Sequence, residues 1–480
     1  MEILLIYPPL SVKKRYGNRA IGKSGGHLPP LGIAYVAAFL RDKGFSVGII
    51  DALASGMNSK DIVDYISYHK PGVVGLSALT STFYGAVELA KTLKEQFPDI
   101  LTLIGGHHAT ILPEETIRDY PCFDLLIYGE GEITSLEVMK RYREAGSDRA
   151  VFLNSLTPDI RGIVYRKTSE PYKTPPRALI DDLDTLPLPA RDLLPMERYI
   201  PLPNQYKRLP VVHMLTTRGC PYSCIFCAAS TVFGKKVRSF SPQRVVREIE
   251  ACMEEYGIRE VSFWDDTMTV NKNWMMNLCN LIIEKRLDIT WTCYGHVNTV
   301  TRELLFRMKE AGCFNIFYGF ESGDQGMLNN IRKGITLDRI RTVKEWTKEA
   351  GIEIRASFML GLPGETPALA EKTIDFAISL DPDYAQFSLT TPYPGTTLYE
   401  IAKEYGNLDM DFTKYHGWNP VFLPHGYKDR EELLNMERQA MRRFYLRPGY
   451  ILKRLKKINS IEDIKRNIKG FCFALGFMRD

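Results

Sequence analysis

The chain lacks the features that mark membrane-spanning, secreted and disordered proteins. We find no run of about 18 apolar residues, so the sequence predicts no transmembrane helix. The first nine residues carry no basic segment and include Pro8 and Pro9, so we interpret them as a strand and not as a signal peptide. Repeats and low-complexity segments are also missing. With 45% hydrophobic and 25% charged residues, the 480-residue chain is predicted to form two or three globular domains.

Cysteine is scarce and unevenly placed. The chain has nine cysteines, an odd number, and only three of them are close together in the sequence. This distribution argues against the disulfide framework of a small secreted protein and predicts a cytoplasmic location. We expect the six scattered cysteines to be buried free thiols of the core.

Positive charge is concentrated at one end of the chain. Residues 442–469 contain ten Lys or Arg and two Asp or Glu, so the rest carries −3 although the whole chain carries +5. Within 442–457 the basic residues are mixed with aromatic and aliphatic ones, which is typical of a helix lying at the periphery of an anionic membrane. A solvated helix face is the alternative. The two large domains have no such excess, so we expect no nucleic-acid binding.

Two successive series of alternating strands and helices predict an α/β fold. In the first, residues 1–145, five apolar strands separated by helical stretches indicate a doubly wound, Rossmann-like parallel sheet. Ligands of such sheets bind beyond the carboxyl ends of the strands. No G-x-G-x-x-G follows the first strand, so a dinucleotide is not favoured. The strands are predicted at 3–7, 46–51, 73–77, 101–104 and 125–128, and the helices at 31–43, 60–69, 82–96, 113–120 and after Gly131.

The second series, residues 206–397, contains six strand–helix units. Six units make a partial (β/α)6 barrel, and barrels of this kind carry their chemistry at the carboxyl ends of the strands. Residues 146–205 are rich in Pro and turn residues and are interpreted as a linker with a small hairpin around 162–166. Residues 398–480 are predicted to be a mostly helical C-terminal region that includes the basic tail.

The most informative motif is Cys220-x3-Cys224-x2-Cys227, directly after the first strand of the barrel. Three thiolates on one short loop can bind three irons of a 4Fe-4S cluster, whereas such clusters normally use four cysteines. The fourth iron is then open to a substrate or cofactor. A zinc site is the alternative, but zinc would need a fourth Cys or His at short spacing, and none follows closely.

This motif, with Phe226 before the last cysteine and the partial barrel around it, resembles the radical S-adenosylmethionine (SAM) superfamily. The resemblance implies that the open iron binds the amino and carboxylate groups of SAM. It also implies that one electron, from reduced flavodoxin or ferredoxin, cleaves SAM to a 5′-deoxyadenosyl radical, which abstracts a substrate hydrogen. The cofactor supplies this chemistry and the protein positions it.

The resemblance further implies which residues hold SAM. Asp265, Asp266 and Thr267 follow the second strand, where the family places polar groups near the methionine end, although capping of the next helix would also explain the carboxylates. Glu321, at the end of the fourth strand, is implied to accept a hydrogen bond from the amino group or ribose. Arg355 is a candidate for the carboxylate. The implied set is completed by Phe226, Ser322, Leu362 and Pro363.

The first 145 residues resemble the cobalamin-binding domain that is fused to many of these enzymes. The resemblance lies in residues 29–32, 51–52, 105–108 and 129–132. The motif D-x-H-x-x-G, which supplies a histidine to the lower face of the corrin, is absent. Corrin contact and an exposed position remain alternatives for His107. For Glu130 the alternatives are contact with corrin or interdomain groups, and a carboxylate that only favours the N-terminus of the following helix. The residues expected to lie against cobalamin are Ser77, Thr80, Gly105, Gly106, His107, Gly129 and Glu130.

The order of the two domains is that of class B radical methylases and anaerobic magnesium-protoporphyrin ester cyclases. It implies an enzyme with a 4Fe-4S cluster, SAM and cobalamin that methylates an unactivated carbon of a small-molecule or lipid-like substrate. Cyclisation, oxidation or carbon–carbon joining without methylation is one alternative. A non-catalytic sensor of corrin or cluster is another. No catalytic side chain is identified by the sequence.

Overall fold

A computed structural model describes residues 1–9, 26–458 and 460–479. Two large sheets, each covered by helices, organise these residues, so the predicted α/β class is confirmed. Within the described ranges, no helix combines the length and the apolar character that crossing a membrane requires.

The first sheet contains seven strands, of which the first five are parallel as predicted. Their spatial order is second, first, third, fourth, fifth, sixth, seventh, so the direction of winding reverses between the first and third strands. Ligands of doubly wound sheets bind at such a switch point. The strands are β1 (Ile3–Tyr7), β2 (Val47–Asp51), β3 (Val73–Ser77), β4 (Leu101–Gly105), β5 (Leu125–Ile127), β6 (Ile163–Lys167) and β7 (Glu170–Lys173).

The hairpin predicted around 162–166 is present as β6 and β7. Because β6 pairs antiparallel with β5, the hairpin extends the first sheet and does not stand apart in a linker. Helices cover both faces of the sheet, so its central strands are buried throughout. These helices are α1 (Leu31–Asp42), α2 (Ala52–Ser55), α3 (Ser59–His69), α4 (Phe83–Gln96), α5 (His107–Ile111), α6 (Pro113–Asp119), α7 (Gly131–Glu144) and α8 (Arg149–Asn154).

The second sheet is the predicted partial barrel of six parallel strands. They lie side by side in chain order, which leaves the first and last strands unpaired with each other. The strands are β8 (Val211–Met214), β11 (Glu260–Phe263), β12 (Thr290–Gly295), β13 (Cys313–Glu321), β14 (Glu353–Leu360) and β15 (Tyr384–Leu389), and a separate short pair is formed by β9 (Thr217–Arg218) and β10 (Arg238–Ser239).

Side chains of these strands alternate between two faces of different character. The outward face is apolar and packs on the surrounding helices in one large core, as Val261, Ile316 and Phe358 do. The inward face carries polar and aromatic side chains. The helices outside the barrel are α9 (Ala229–Phe233), α10 (Pro242–Tyr256), α11 (Lys272–Glu284), α12 (Arg302–Glu310), α13 (Gln325–Asn330), α14 (Leu337–Glu349) and α15 (Pro367–Leu380).

The C-terminal region is mostly helical, as expected, but it also contains a short antiparallel strand pair that the sequence did not predict. Of the six scattered cysteines, five are buried as expected, whereas Cys472 is exposed, so the expectation was wrong for that residue. The elements of this region are α16 (Thr397–Tyr405), β16 (Gly406–Leu408), β17 (Phe422–Pro424), α17 (Arg430–Tyr445), α18 (Pro448–Lys456) and α19 (Ile461–Arg479).

Much of the positive charge of the tail is used inside the fold. Arg443 pairs with Glu371 and Asp375 on α15, and Arg447 and Lys453 pair with Asp381 just after it. Further along, Lys457 pairs with Asp383 at 2.6 Å and with Glu353 at 2.9 Å. These contacts attach the tail to the barrel, so neither a purely solvated face nor a wholly free basic helix describes it.

Candidate active site

The cysteine loop leaves the barrel through a turn that requires glycine. Gly219 has φ +97°, and a Cβ there would lie 2.4 Å from the carbonyl oxygen of Lys236. Only glycine accepts both conditions without strain. Cys220 directly follows Gly219. The turn at Gly219 therefore sets the direction in which the loop that carries the three thiols continues.

The carboxylate of Asp265 fixes the start of this loop through hydrogen bonds. Its buried carboxylate accepts hydrogen bonds from the backbone N–H groups of Thr216 and Thr217, and also from both hydroxyls at 3.0 and 2.9 Å. Burial raises the pKa of Asp265 to about 6, and these hydrogen bonds oppose the rise. The carboxylate is therefore occupied in shaping the loop, a different position from the cofactor contact expected for it.

The three thiols occupy one loop at different depths. Cys220 is buried with its Sγ 3.6 Å from the hydroxyl of Thr267, Cys224 is half-buried and Cys227 is exposed. Among the described residues, no three His, Cys, Asp or Glu side chains converge as they would around a single metal ion. Thiolates of a 4Fe-4S cluster bind different irons and need not converge. Cluster ligation by the three thiols stays a prediction from their spacing in the sequence.

A buried ion pair lies against this loop. Lys333 Nζ is 2.8 Å from Glu321 Oε1 and lies 5.7 Å from the ring centre of Phe226. Burial opposes the charge of Lys333, but Glu321 and Cys224 outweigh it and raise the pKa of the lysine. In turn, burial raises the pKa of Cys224 and the ammonium of Lys333 opposes that rise. Lys333 thus brings a positive charge to thiols that would be anionic when they bind metal.

Glu321 stands in an unusual backbone conformation, with φ +63° at the end of β13. A non-glycine residue in the left-handed region carries strain, which persists where the surroundings impose it and which is common at functional sites. The sequence pointed to Glu321 but not to Lys333, because no motif or spacing marks a lone lysine in a loop. Tyr222, within the cysteine loop, was also missed; its ring stacks on His296 at 3.8 Å.

The other residues expected around SAM differ in exposure: one carboxylate is exposed, and three residues are buried. Asp266 is exposed beside the loop, and its carboxylate has no hydrogen-bond partner among the described residues. Ser322 is fully buried and bonds Thr373 at 3.2 Å. Leu362 and Pro363 are buried in the turn after β14, where they support the strand end.

Arg355 lies deeper than the rest of this set. It is the third residue of β14 and is paired in register with Phe317 and Tyr384, whereas Glu321 is paired three residues further along the strand, with Phe358. At about 3.3 Å per residue, Arg355 lies about 10 Å below Glu321 in the direction away from the cysteine loop. The structure therefore separates Arg355 from Glu321, the other charged residue expected at SAM on the neighbouring strand.

The residues expected at cobalamin lie along one edge of the first sheet. Ser77, Gly105 and Gly129 end or follow β3, β4 and β5 at their carboxyl ends. Gly106 has φ +91°, and a Cβ there would lie 2.8 Å from the Ser77 hydroxyl. At Gly106 the loop after β4 therefore approaches the loop after β3 too closely for a larger residue, so backbone rather than a side chain lies at this point of the edge.

Two neighbouring histidines have different positions here. His108 is buried, stacks on Phe83 at 3.9 Å and contacts the hydroxyl of Thr80 at 3.3 Å. Burial lowers the pKa of His108 to about 4, so this histidine is neutral at physiological pH. His107 is exposed, and its ring lies 5.8 Å from that of Phe233 on α9, just after the cysteine loop. The edge of the first sheet therefore faces the mouth of the barrel.

Glu130 and its neighbour Glu132 join the domain of the first sheet (the first unit) to the barrel (the second unit) through buried ion pairs. Arg218, two residues before Cys220, donates to Glu130 at 2.8 Å and to Glu132 at 2.6 Å. Arg238 donates to both oxygens of Glu130, which also accepts from the N–H of Ile180. Burial opposes the charge of Arg218, but Glu132 and Glu130 raise its pKa. Glu130 thus makes the interdomain contacts that were expected for it, while its contact with the corrin stays a prediction.

Comparison with known proteins matches the two large parts of the chain, the first sheet and the barrel, to two different families. Residues 18–139 match the family described as B12 binding domain, and residues 214–377 match the radical SAM superfamily. An uncharacterized methyltransferase of Pyrococcus horikoshii is 37% identical over 98% of this chain and 98% of its own. The chain belongs to the cobalamin-binding group of the radical SAM superfamily. It is an enzyme whose cofactors are a 4Fe-4S cluster, SAM and cobalamin.

Two further relatives extend the comparison. The anaerobic magnesium-protoporphyrin IX monomethyl ester cyclase of Rubrivivax gelatinosus is 28% identical, over 94% of this chain and 78% of its own. The radical SAM methyltransferase TsrM of Kitasatospora setae, solved with cobalamin and a [4Fe-4S] cluster, superimposes with a TM-score of 0.71 at 16% identity, covering 99% of both chains. At that identity the match establishes the fold. Enzymes of this superfamily act on small molecules and take an electron from a reductant.

We predict that Cys224→Ala abolishes cluster binding, because two thiolates on the loop no longer hold three irons. The measurement is iron and sulfide content with visible absorbance after anaerobic reconstitution. Cys252→Ala, which removes a buried thiol on α10, is the matched control and should keep its cluster. Retention of full iron content by Cys224→Ala would contradict the assignment.

We predict that Glu130→Gln weakens the junction between the units, because it leaves Arg238 buried without an acid. Removing one partner of a buried pair costs about 3–5 kcal/mol. The free energy of unfolding, measured in guanidinium chloride under anaerobic conditions, should fall by that amount. Glu144→Gln, an exposed glutamate paired with Arg141 on α7, should change it by under about 0.5 kcal/mol. Equal effects of the two variants would contradict the prediction.

Proposed function

We propose that this enzyme transfers a methyl group to an unactivated carbon of a small molecule. The observation that carries the proposal is the orientation of the two units. The cysteine loop at the mouth of the barrel faces the carboxyl edge of the first sheet, where His107 lies beside Phe233. A substrate between them would be within reach of both cofactors at once.

The side chains at the mouth of the barrel suit a radical reaction in which distances are fixed and water is excluded. Cys220, Cys224 and Cys227 would hold the cluster, and Lys333 and Glu321 would lie beside it. One SAM molecule would supply the radical that removes a hydrogen atom from the substrate, and a second would supply the methyl group, carried by the corrin. The protein's own contribution is to fix distances and exclude water, which is what a preorganised site provides.

Two further members of the expected SAM set, Phe226 and Asp266, have different roles. Phe226 lies under Lys333 and would shape the space beside the cluster. Asp266 presents an exposed carboxylate near Cys227 and is available to a polar group of SAM. Because Asp265, Ser322, Leu362 and Pro363 already bond or pack within the protein, we propose that they support SAM indirectly, through the loops that they shape.

A reaction without methylation is the second candidate. The Rubrivivax gelatinosus relative is named as a cyclase and is 28% identical over most of this chain. Both reactions begin with removal of a substrate hydrogen, and they differ in the fate of the substrate radical. The cofactor edge of the first sheet, with its glycine-lined loops, is common to both.

The test uses SAM labelled in its methyl group, the reconstituted enzyme with cobalamin, and a small-molecule extract from cells that lack the gene. We expect 5′-deoxyadenosine to form and label to appear in one extract component, followed by mass spectrometry. A product that is two hydrogens lighter and unlabelled would favour the cyclase reaction. Absence of 5′-deoxyadenosine with every reductant would refute both.

We also propose a reduced flavodoxin or ferredoxin as the electron donor. The two reductants to compare in the same assay are reduced flavodoxin and dithionite. Exposure of Cys227 at the surface of the loop favours electron entry from a docked protein.

The C-terminal helices suggest a further partner, the surface of an anionic membrane. On α18 and α19, six large apolar residues are 41–58% exposed, and they recur at spacings of three and four that place them along helix faces. Exposed lysines flank them. Apolar contact and positive charge together are what membrane-surface helices use. The apolar residues are Ile451, Leu452, Leu455, Ile464, Ile468 and Phe471, and the lysines are Lys456, Lys465 and Lys469.

We predict that the enzyme sediments with vesicles containing phosphatidylserine and not with phosphatidylcholine vesicles alone. The triple change Leu452→Ser, Leu455→Ser and Ile468→Ser should abolish that binding. Val151→Ser removes a similarly exposed apolar residue, 54% exposed and far along the chain, and should leave it unchanged. Equal sedimentation with both kinds of vesicle, or no effect of the triple change, would count against membrane contact.

A further inference from the structure

Among the described residues, one buried cation lacks an acidic partner. Six Arg or Lys side chains of the described residues are buried, and five of them pair with buried glutamates. Arg355, 3% exposed, forms no ion pair with any described residue. The paired five are Arg191, Arg218, Arg238, Arg244 and Lys333.

The surroundings of Arg355 are built for a guanidinium group. Its Nε–H donates to Asn315 Oδ1 at 2.6 Å, and its plane lies over the rings of Phe317 at 5.2 Å and Tyr294 at 5.9 Å. Asn315 is fully buried, and its own amide nitrogen has no hydrogen-bond partner. The rings and the amide fix the orientation of Arg355, yet none of them neutralises its charge.

The missing partner has an energetic consequence. A buried charge without a counterion is unfavourable, and buried groups with perturbed pKa values are concentrated at functional sites. Burial opposes the charge of Arg191, Arg218 and Lys333, but neighbouring glutamates raise the pKa of all three, whereas burial lowers the pKa of Arg355. An anion that enters this position would remove the imbalance.

The position opens into the inside of the barrel. Above Arg355 on the same face of β14, Ser357 and Met359 are half-exposed, and on the neighbouring β15 Gln386 is exposed. The inner wall at the level of Arg355 is aromatic: Trp264, Tyr294 and Phe317 form a continuous row with ring centres 5.3 and 5.0 Å apart. Aromatic rings beside a cation favour a flat or apolar body that ends in an anionic group.

Two sources of such an anion exist, the carboxylate of SAM and an acidic group of the substrate. Arg355 lies about 10 Å below Glu321 along the strands, away from the cysteine loop. The cysteine loop already has a buried cation beside it in Lys333. The depth of Arg355 therefore favours the substrate, whose reacting carbon would then lie above it, towards the mouth.

We propose that Arg355 binds a carboxylate or phosphate group of the substrate, whose apolar body packs on the row of Trp264, Tyr294 and Phe317; this rests on the proposed function. Arg355 is thereby a specificity-determining residue. A guanidinium can donate two parallel hydrogen bonds to a carboxylate or phosphate, so it selects geometry as well as charge.

The test compares two probes that differ only in the anion, 1-naphthyl phosphate and 1-naphthol, by calorimetric titration of the reconstituted enzyme. We expect the phosphate to bind roughly 10- to 100-fold more tightly, as hydrogen bonds to charged groups provide. Arg355→Gln should bind both probes alike. Arg355→Lys keeps a charge without the planar fork and should show a reduced preference, which preserves the test if Arg355→Gln does not fold.

Control measurements separate the possible outcomes. Arg302→Gln changes an exposed arginine that also lies over a ring, that of Phe306, and should keep the full preference for the phosphate. SAM affinity, measured by the same titration, should be unchanged in Arg355→Gln. No preference in the unchanged enzyme would overturn the proposal, as would weaker SAM binding in Arg355→Gln with the probe preference intact. If the enzyme forms no 5′-deoxyadenosine at all, the proposed function fails while the probe comparison remains decisive for Arg355.

Discussion

The structure depends on the buried ion pairs that Glu130 and Glu132 make with Arg218 and Arg238. Each partner is almost fully buried, so the contact is strong only while the two units stay together. Arg218 lies two residues before Cys220, and through it the first unit fixes the entry to the cysteine loop. Buried side chains thus join the entry to the cysteine loop directly to the edge of the first sheet.

The sequence was informative wherever a pattern follows from backbone geometry. Alternating apolar strands and amphipathic helices predicted both sheets within a residue or two, because period and burial are local properties. The spacing of Cys220, Cys224 and Cys227 after a strand identified the site for the same reason. The hairpin of β6 and β7 was predicted, but its union with the first sheet was not, since pairing between distant strands leaves no local signal.

Residues were missed where partners are distant in sequence. Lys333 joins Glu321 across a loop, and Arg238 reaches Glu130 across 108 positions. The repeated Gly-Glu of residues 129–132 indicates two acidic side chains that would need cationic partners if they are buried. Arg218, close to the cysteines, is a cation that could serve as such a partner. Asp265 and Arg355 were found as polar residues on the right strands, but which hydrogen bonds they make is decided by packing that the sequence alone does not specify.

The barrel has only six strands, and β8 and β15 do not meet. The C-terminal region contacts the chain at both of these strands: Tyr445 bonds the backbone of Ala385 on β15, and Arg466 donates to the carbonyl of Tyr206, just before β8. Changes within residues 398–480 can therefore alter the space beside the two strands while leaving the strands themselves unchanged. Relatives with different substrates are expected to diverge most in that region.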